Sequence, residues 1–122
     1  MDKAQAIHNF WSGFGLKAYD AESVPDDAVM PYITYNVATD SYDNQVQLNA
    51  SIWYHSTSWV DCQRKAEEIS EHIVKMQPIS IKIDNGRLFI TKGNPFAQRM
   101  ADETDTVKRI YLICEAEFLT SY

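Results

Sequence analysis

Between Gln45 and His55 the chain alternates without a break. Val46, Leu48, Ala50, Ile52 and Tyr54 fall on one side, while Gln45, Gln47, Asn49, Ser51, Trp53 and His55 fall on the other. Successive side chains of a strand point to opposite faces, so this period of two predicts a strand with one face on a core. The second face is amide and hydroxyl apart from Trp53, a large aromatic side chain that gains from cover. Val107–Thr120 repeats the pattern, with Ile110, Leu112, Cys114, Ala116 and Phe118 in phase and Arg109, Tyr111, Ile113, Glu115 and Glu117 out of phase. At about 3.3 Å per residue it reaches some 40 Å, long enough for a central strand paired on both sides.

The other elements follow from shorter signals. Ala4, Ile7, Phe10, Trp11 and Phe14 recur at helical spacing, which predicts a helix over 2–12 stopped by Gly13 and Gly15. Residues 16–30 show no period and hold Asp20, Glu22, Pro25, Asp26 and Asp27, which reads as an acidic irregular connection. A strand over 31–38 and the strand from Gln45 flank a segment rich in turn formers, the pattern of a hairpin. Ser56, Thr57 and Ser58 offer N-caps to a second helix, whose Cys62, Ala66, Ile69, Ile73 and Met76 form one stripe before Pro78 ends it. Ile79, Ile81 and Ile83, the turn Asp84-Asn85-Gly86 and the run 87–91 predict a tight hairpin. Residues 92–105 read as a long connection in which Phe96 and Met100 could share one helical turn.

The resulting order is α-β-β-α-β-β-β in a single domain, 1–122. It predicts an α+β fold, with an antiparallel or mixed β-sheet and two helices packed mainly on one of its faces. A chain of 122 residues can bury roughly two-thirds of the surface its unfolded form exposes. The net charge of −6 offers no counterion release on contact with phosphates, which argues against sequence-specific nucleic acid as a ligand. No run approaches the ~18 apolar residues of a membrane span, and no secretory leader is expected from the opening Met1-Asp2-Lys3-Ala4. Cys62 and Cys114 lie in apolar phases and are expected to be buried free thiols.

Residue types that carry chemistry do not converge in this sequence. His8, His55 and His72 fall on three separate elements without metal-ligand spacing, so no metal site is expected. Ser58, Ser70 and Ser80 lack a neighbouring base, and Gly13-Phe14-Gly15 lacks the third glycine and preceding strand of a phosphate loop. The carboxylate pairs Asp26-Asp27 and Asp102-Glu103 sit in loops. The sequence therefore predicts no enzyme and no cofactor. Its excess is aromatic, with 7 Tyr, 5 Phe and 3 Trp. Tyr42, Trp53, Trp59 and Phe96, with His55, Arg99 and Met100 beside them, are the candidates for an interface, where Tyr, Trp, Met and Arg are enriched.

Two stretches resemble a known family. Met30-Pro31-Tyr32-Ile33-Thr34-Tyr35, followed by a polar strand ending in Trp53-Tyr54 and an amphipathic helix, is similar to tail-terminator and tail-completion proteins of long-tailed bacteriophages. Gly93-Asn94-Pro95-Phe96-Ala97-Gln98-Arg99-Met100, with Val107-Lys108-Arg109-Ile110-Tyr111-Leu112 and Glu115-Ala116-Glu117-Phe118-Leu119-Thr120, resembles head–tail joining and minor capsid proteins of phages and prophages of Gram-positive hosts. The likeness implies a small α+β structural protein, neither catalytic nor cofactor-bearing. It implies self-assembly into a ring, often a hexamer, that meets tail-tube or head-completion proteins, does not enter a membrane, and ends in the virion after assembly in the host cytoplasm. The connections 16–30 and 92–106 would then meet neighbouring subunits or the tube, and the acidic charge would suit a channel that DNA slides past. A monomeric or dimeric α+β module for a ligand or protein, and a small enzyme with a deep pocket, are the competing readings.

Overall fold

The computed structural model describes residues 1–36, 45–76, 78–100 and 104–120. Two helices, α1 (Lys3–Ser12) and α2 (Val60–Met76), accompany six strands: β1 (Lys17–Asp20), β2 (Tyr32–Tyr35), β3 (Gln45–His55), β4 (Ile79–Ile83), β5 (Gly86–Met100) and β6 (Val107–Thr120). The strands form one sheet in the order β1-β2-β3-β6-β5-β4. Only β1 and β2 run parallel; every other neighbouring pair is antiparallel. The fold is α+β with a mixed sheet, as the alternation and the two helical stripes predict.

The order contains one strand more than the sequence suggests. β1 lies inside the stretch read as irregular, because four residues are too few to display a period. The connection expected over 92–105 is also largely strand, since β5 continues to Met100 and no helical turn forms at Phe96. The misreading has a physical cause. Lys92 pairs with Cys114 and Ala97 with Leu112, so the four residues Gly93–Phe96 face the single residue Ile113. Pro95 has no N–H for a ladder and is tolerated in a strand at such an irregularity. The long alternating strand β6 lies between β3 and β5, paired on both sides as its length predicts.

Local chemistry sets the helix ends. Asp2 caps α1 through Oδ1, which accepts from the Gln5 backbone N–H at 2.8 Å, and Gly13 closes it. Ser58 Oγ accepts from the Val60 backbone N–H at 3.1 Å at the start of α2. The buried face of α1 is Ala6, Ile7, Phe10 and Trp11, with Phe14 just beyond; Ala4 is exposed, contrary to the expected stripe. Met76, the last residue of α2, is likewise exposed, while Cys62, Ala66, Ile69 and Ile73 are buried as expected. Asn85, at φ 64°, makes the turn between β4 and β5, a conformation Asn tolerates better than most residues.

Both helices share one buried cluster with Ile33, Leu48, Ile52, Ile90, Ile110, Leu112 and Phe118. They therefore cover the same face of the sheet. α2 packs on β3, β5 and β6, whereas α1 touches β1 and β2 at one edge and β4 at the other. Five strand spacings of about 4.8 Å would separate those edges by about 24 Å in a flat sheet, twice the ~10–12 Å diameter of a helix. The sheet must curl around α1 for this helix to meet both edges. Cys62 and Cys114 are free and buried as expected, and burial pushes their thiols up to about 11 and about 12 respectively, which keeps both protonated and unreactive at neutral pH.

Candidate functional site: the open face of the sheet

Because the helices occupy one face, the side chains between the core positions of the strands stand on a face that no described element covers. Strand register assembles this surface. Tyr32 of β2 lies opposite Trp53 of β3, Trp53 opposite Arg109 of β6, and Arg109 opposite Met100 of β5. One row lower, Thr34, Ser51, Tyr111 and Gln98 face one another in the same order. Paired residues share a face, so four strands contribute to one patch.

The patch is held in place by its own contacts. Trp53 Nε1 donates to Thr34 Oγ1 at 2.9 Å, which fixes the indole across the β2–β3 pair. Arg109 Nε donates to Ser51 Oγ at 2.9 Å, and its guanidinium lies 4.8 Å from the Trp53 ring centre. The same guanidinium is 6.0 Å from the Tyr111 ring, at the limit of a cation–π contact. Tyr32 sits 6.4 Å from Trp53 and 5.7 Å, edge on, from Tyr19 of β1. Ser51 is 2% exposed beneath this layer, although nothing of the helices reaches it. The aromatic rings are half-buried, each fixed on one side and open on the other.

The residues expected at an interface divide between two surfaces. Trp53, His55 and Met100 belong to the open face, His55 at its exposed end opposite Val107. Trp59, Phe96 and Arg99 belong to the helix side. Arg99 lies over the Trp59 ring at 4.8 Å, Lys108 approaches the same ring at 5.5 Å, and Arg99 Nε donates to Gln63 Oε1 at 3.4 Å. Phe96 packs against the core with Lys92 5.6 Å above its ring. Tyr42 falls outside the described residues. Tyr19, Tyr32, Arg109 and Tyr111 complete the open face and were not among the expected residues. The phase of Tyr32, Arg109 and Tyr111 is readable along their strands, whereas β1 with Tyr19 is too short to show one, and the pairing of β3 with β6 that sets Arg109 against Trp53 is not written in any local pattern.

The depression at the N-terminal end of α2 has a volume of about 490 Å³ and is lined by Ser58, Trp59, Val60, Gln63, Arg64 and Arg99, with Glu67 at its side, so no histidine or thiol enters it. His8 Nδ1 is 2.8 Å from the Tyr35 hydroxyl, a contact that joins α1 to β2, and burial, aided by Asp20, raises the Tyr35 pKa. His72 is exposed on α2, as expected, with its ring edge-on to Phe14. Among the described residues no three His, Cys, Asp or Glu side chains converge as a metal site, and no helix is long and apolar enough to cross a membrane.

Fold and face together define a small α+β protein whose curled sheet is covered on one side and presents an aromatic–arginine surface on the other. A chain of the solved structure "Virion of native gene transfer agent (GTA) particle" has the same fold: its TM-score is 0.69, with 96% of this chain and 94% of that chain covered at 17% identity. No protein-family model and no curated protein sequence matches the chain.

Proposed function

We propose that this protein is a structural component of a phage or phage-like virion that self-assembles into a ring at the end of the tail, either capping the tube or joining it to the head. The observation that carries the reading is the open face, where Tyr32, Trp53, Arg109 and Tyr111 form a fixed surface on an uncovered sheet. Interface centres are built from such side chains, and their cost in lost mobility is met before association when they are already held in place. The full-length likeness to a virion chain supports the class, and the resemblance of the 30–35 and 93–100 stretches to tail-completion proteins supports the position in the particle. Tail-tube or head-completion proteins are the partners this reading supplies.

Negative-stain images of the concentrated protein test it. Closed rings of uniform diameter are the expected result. A strict monomer at every concentration, in the presence and absence of tail tubes, contradicts it and favours a small binding module.

A further inference from the structure

Arg109 is the cation that lies between Trp53 and Tyr111 within the aromatic patch, Lys17 standing at the patch edge opposite Tyr32, and among the described residues no carboxylate forms an ion pair with it. Its neighbours on that face are Trp53 and Met100 across the strands and Val107 and Tyr111 along its own. The ion pairs among the described residues join the N-terminus to Asp84, Arg64 to Asp61 and Lys65 to Glu68. Glu115, the nearest carboxylate on the same face of β6, is six residues away, about 20 Å along a strand. The guanidinium is anchored by one Nε–H bond and by the indole, and among the described residues its terminal N–H groups make no hydrogen bond. A fixed planar fork of this kind matches a carboxylate, and its rigidity lowers the entropy lost on binding.

The chain also carries surplus negative charge in a defined place. Asp20 ends β1 and Glu22, Asp26 and Asp27 follow it at the sheet edge, and none of them takes part in the ion pairs above. Glu22, Asp26 and Asp27 are exposed, and Asp20 Oδ1 accepts from the Glu22 backbone N–H at 3.0 Å. The two unbalanced surfaces are complementary in charge. Resting on the ring reading above, we infer that the Arg109–Trp53 patch of one copy receives the acidic segment 20–27 of a second copy. The partner is this chain itself, because both halves of the contact are present on it and neither forms an ion pair among the described residues. A copy of net charge −6 also needs such local pairing if it is to approach another. The alternative occupant for an arginine–tryptophan surface, single-stranded nucleic acid, would have to approach that same net negative charge.

Charge reversal on each side, then on both, tests the contact by sedimentation at protein concentrations up to about 1 mM. Arg109→Glu alone and Asp26→Arg with Asp27→Arg alone should each weaken association at least ~10-fold, the scale of a lost charge-assisted contact. All three substitutions in one chain should restore it to within a few-fold of the original, which misfolding of either parent would not allow. Far-ultraviolet circular dichroism of every variant confirms that the sheet is kept. Rings that persist in Arg109→Glu, or a combined variant that stays dissociated, overturn the inference while leaving the ring reading intact. An unmodified chain that remains a monomer fails the ring reading and the inference with it. Saturable, Arg109-dependent quenching of tryptophan fluorescence by an oligothymidine would assign the face to nucleic acid and overturn the inference as well.

Discussion

Trp11→Ala is expected to lower stability by about 3–5 kcal/mol, the usual cost of deleting a large buried aromatic side chain. Trp11 is fully buried and packs edge-on against Phe10 at 4.7 Å, in the helix that the curled sheet encloses. Removing it opens a cavity in the core cluster that α1 shares with the sheet. Whole-domain stabilities are about 5–15 kcal/mol, so the variant should melt about 10–20 °C lower or fail to fold. The indole Nε1 has no hydrogen-bond partner among the described residues. Trp11→Phe should therefore cost much less than Trp11→Ala, because it keeps most of the packing and removes an unsatisfied donor. Thermal melts of the two variants check this; equal losses would mean that the ring is not what fills the curl.

Gly93→Ala is the second large effect. A Cβ there would lie 2.7 Å from both Ile113 Cγ2 and the Ile113 carbonyl oxygen, and 3.1 Å from its carbonyl carbon. Two of these three atoms are backbone of the central strand, so the added methyl cannot be accommodated by a rotamer change. β5 must move away from β6 where its four extra-register residues already crowd one position. The expected loss is about 1–3 kcal/mol, as for overpacking of a filled site. Ile113→Ala should not rescue it, since the carbonyl remains. Full rescue in chemical denaturation would show that the side chain alone limits the approach.

Most of the architecture was legible in the sequence because the two long strands and α2 repeat their pattern many times. Eleven alternating positions in β3 and the stripe from Cys62 to Ile73 leave one solution each. β1 was hidden by brevity, and the far half of β5 by Gly93-Asn94-Pro95, turn-forming residues used here inside a strand at a register shift. Ala4 and Ala6 both fit a helical spacing, and only the sheet that α1 meets decides between them. For the site, alternation placed Trp53 on the free face correctly. It could not show that Arg109, 56 positions later by number, would stand opposite, because strand pairing is decided by the whole sheet. The same limit explains why Trp59, Phe96 and Arg99 were grouped with Trp53 but sit on the helix side.

The account depends above all on Trp53 serving association more than folding. Its indole N–H donates to Thr34 on the same open face, and its ring rests on side chains of that face, outside the core cluster. The direct measurement is the oligomer mass of Trp53→Ala beside its melting temperature, the latter taken at dilution so that assembly does not add to stability. The expected result is loss of the oligomer with stability reduced by only about 1 kcal/mol, the ordinary effect of a substitution outside the core. An unchanged oligomer mass together with a large drop in melting temperature would contradict it and make Trp53 a structural residue of the sheet.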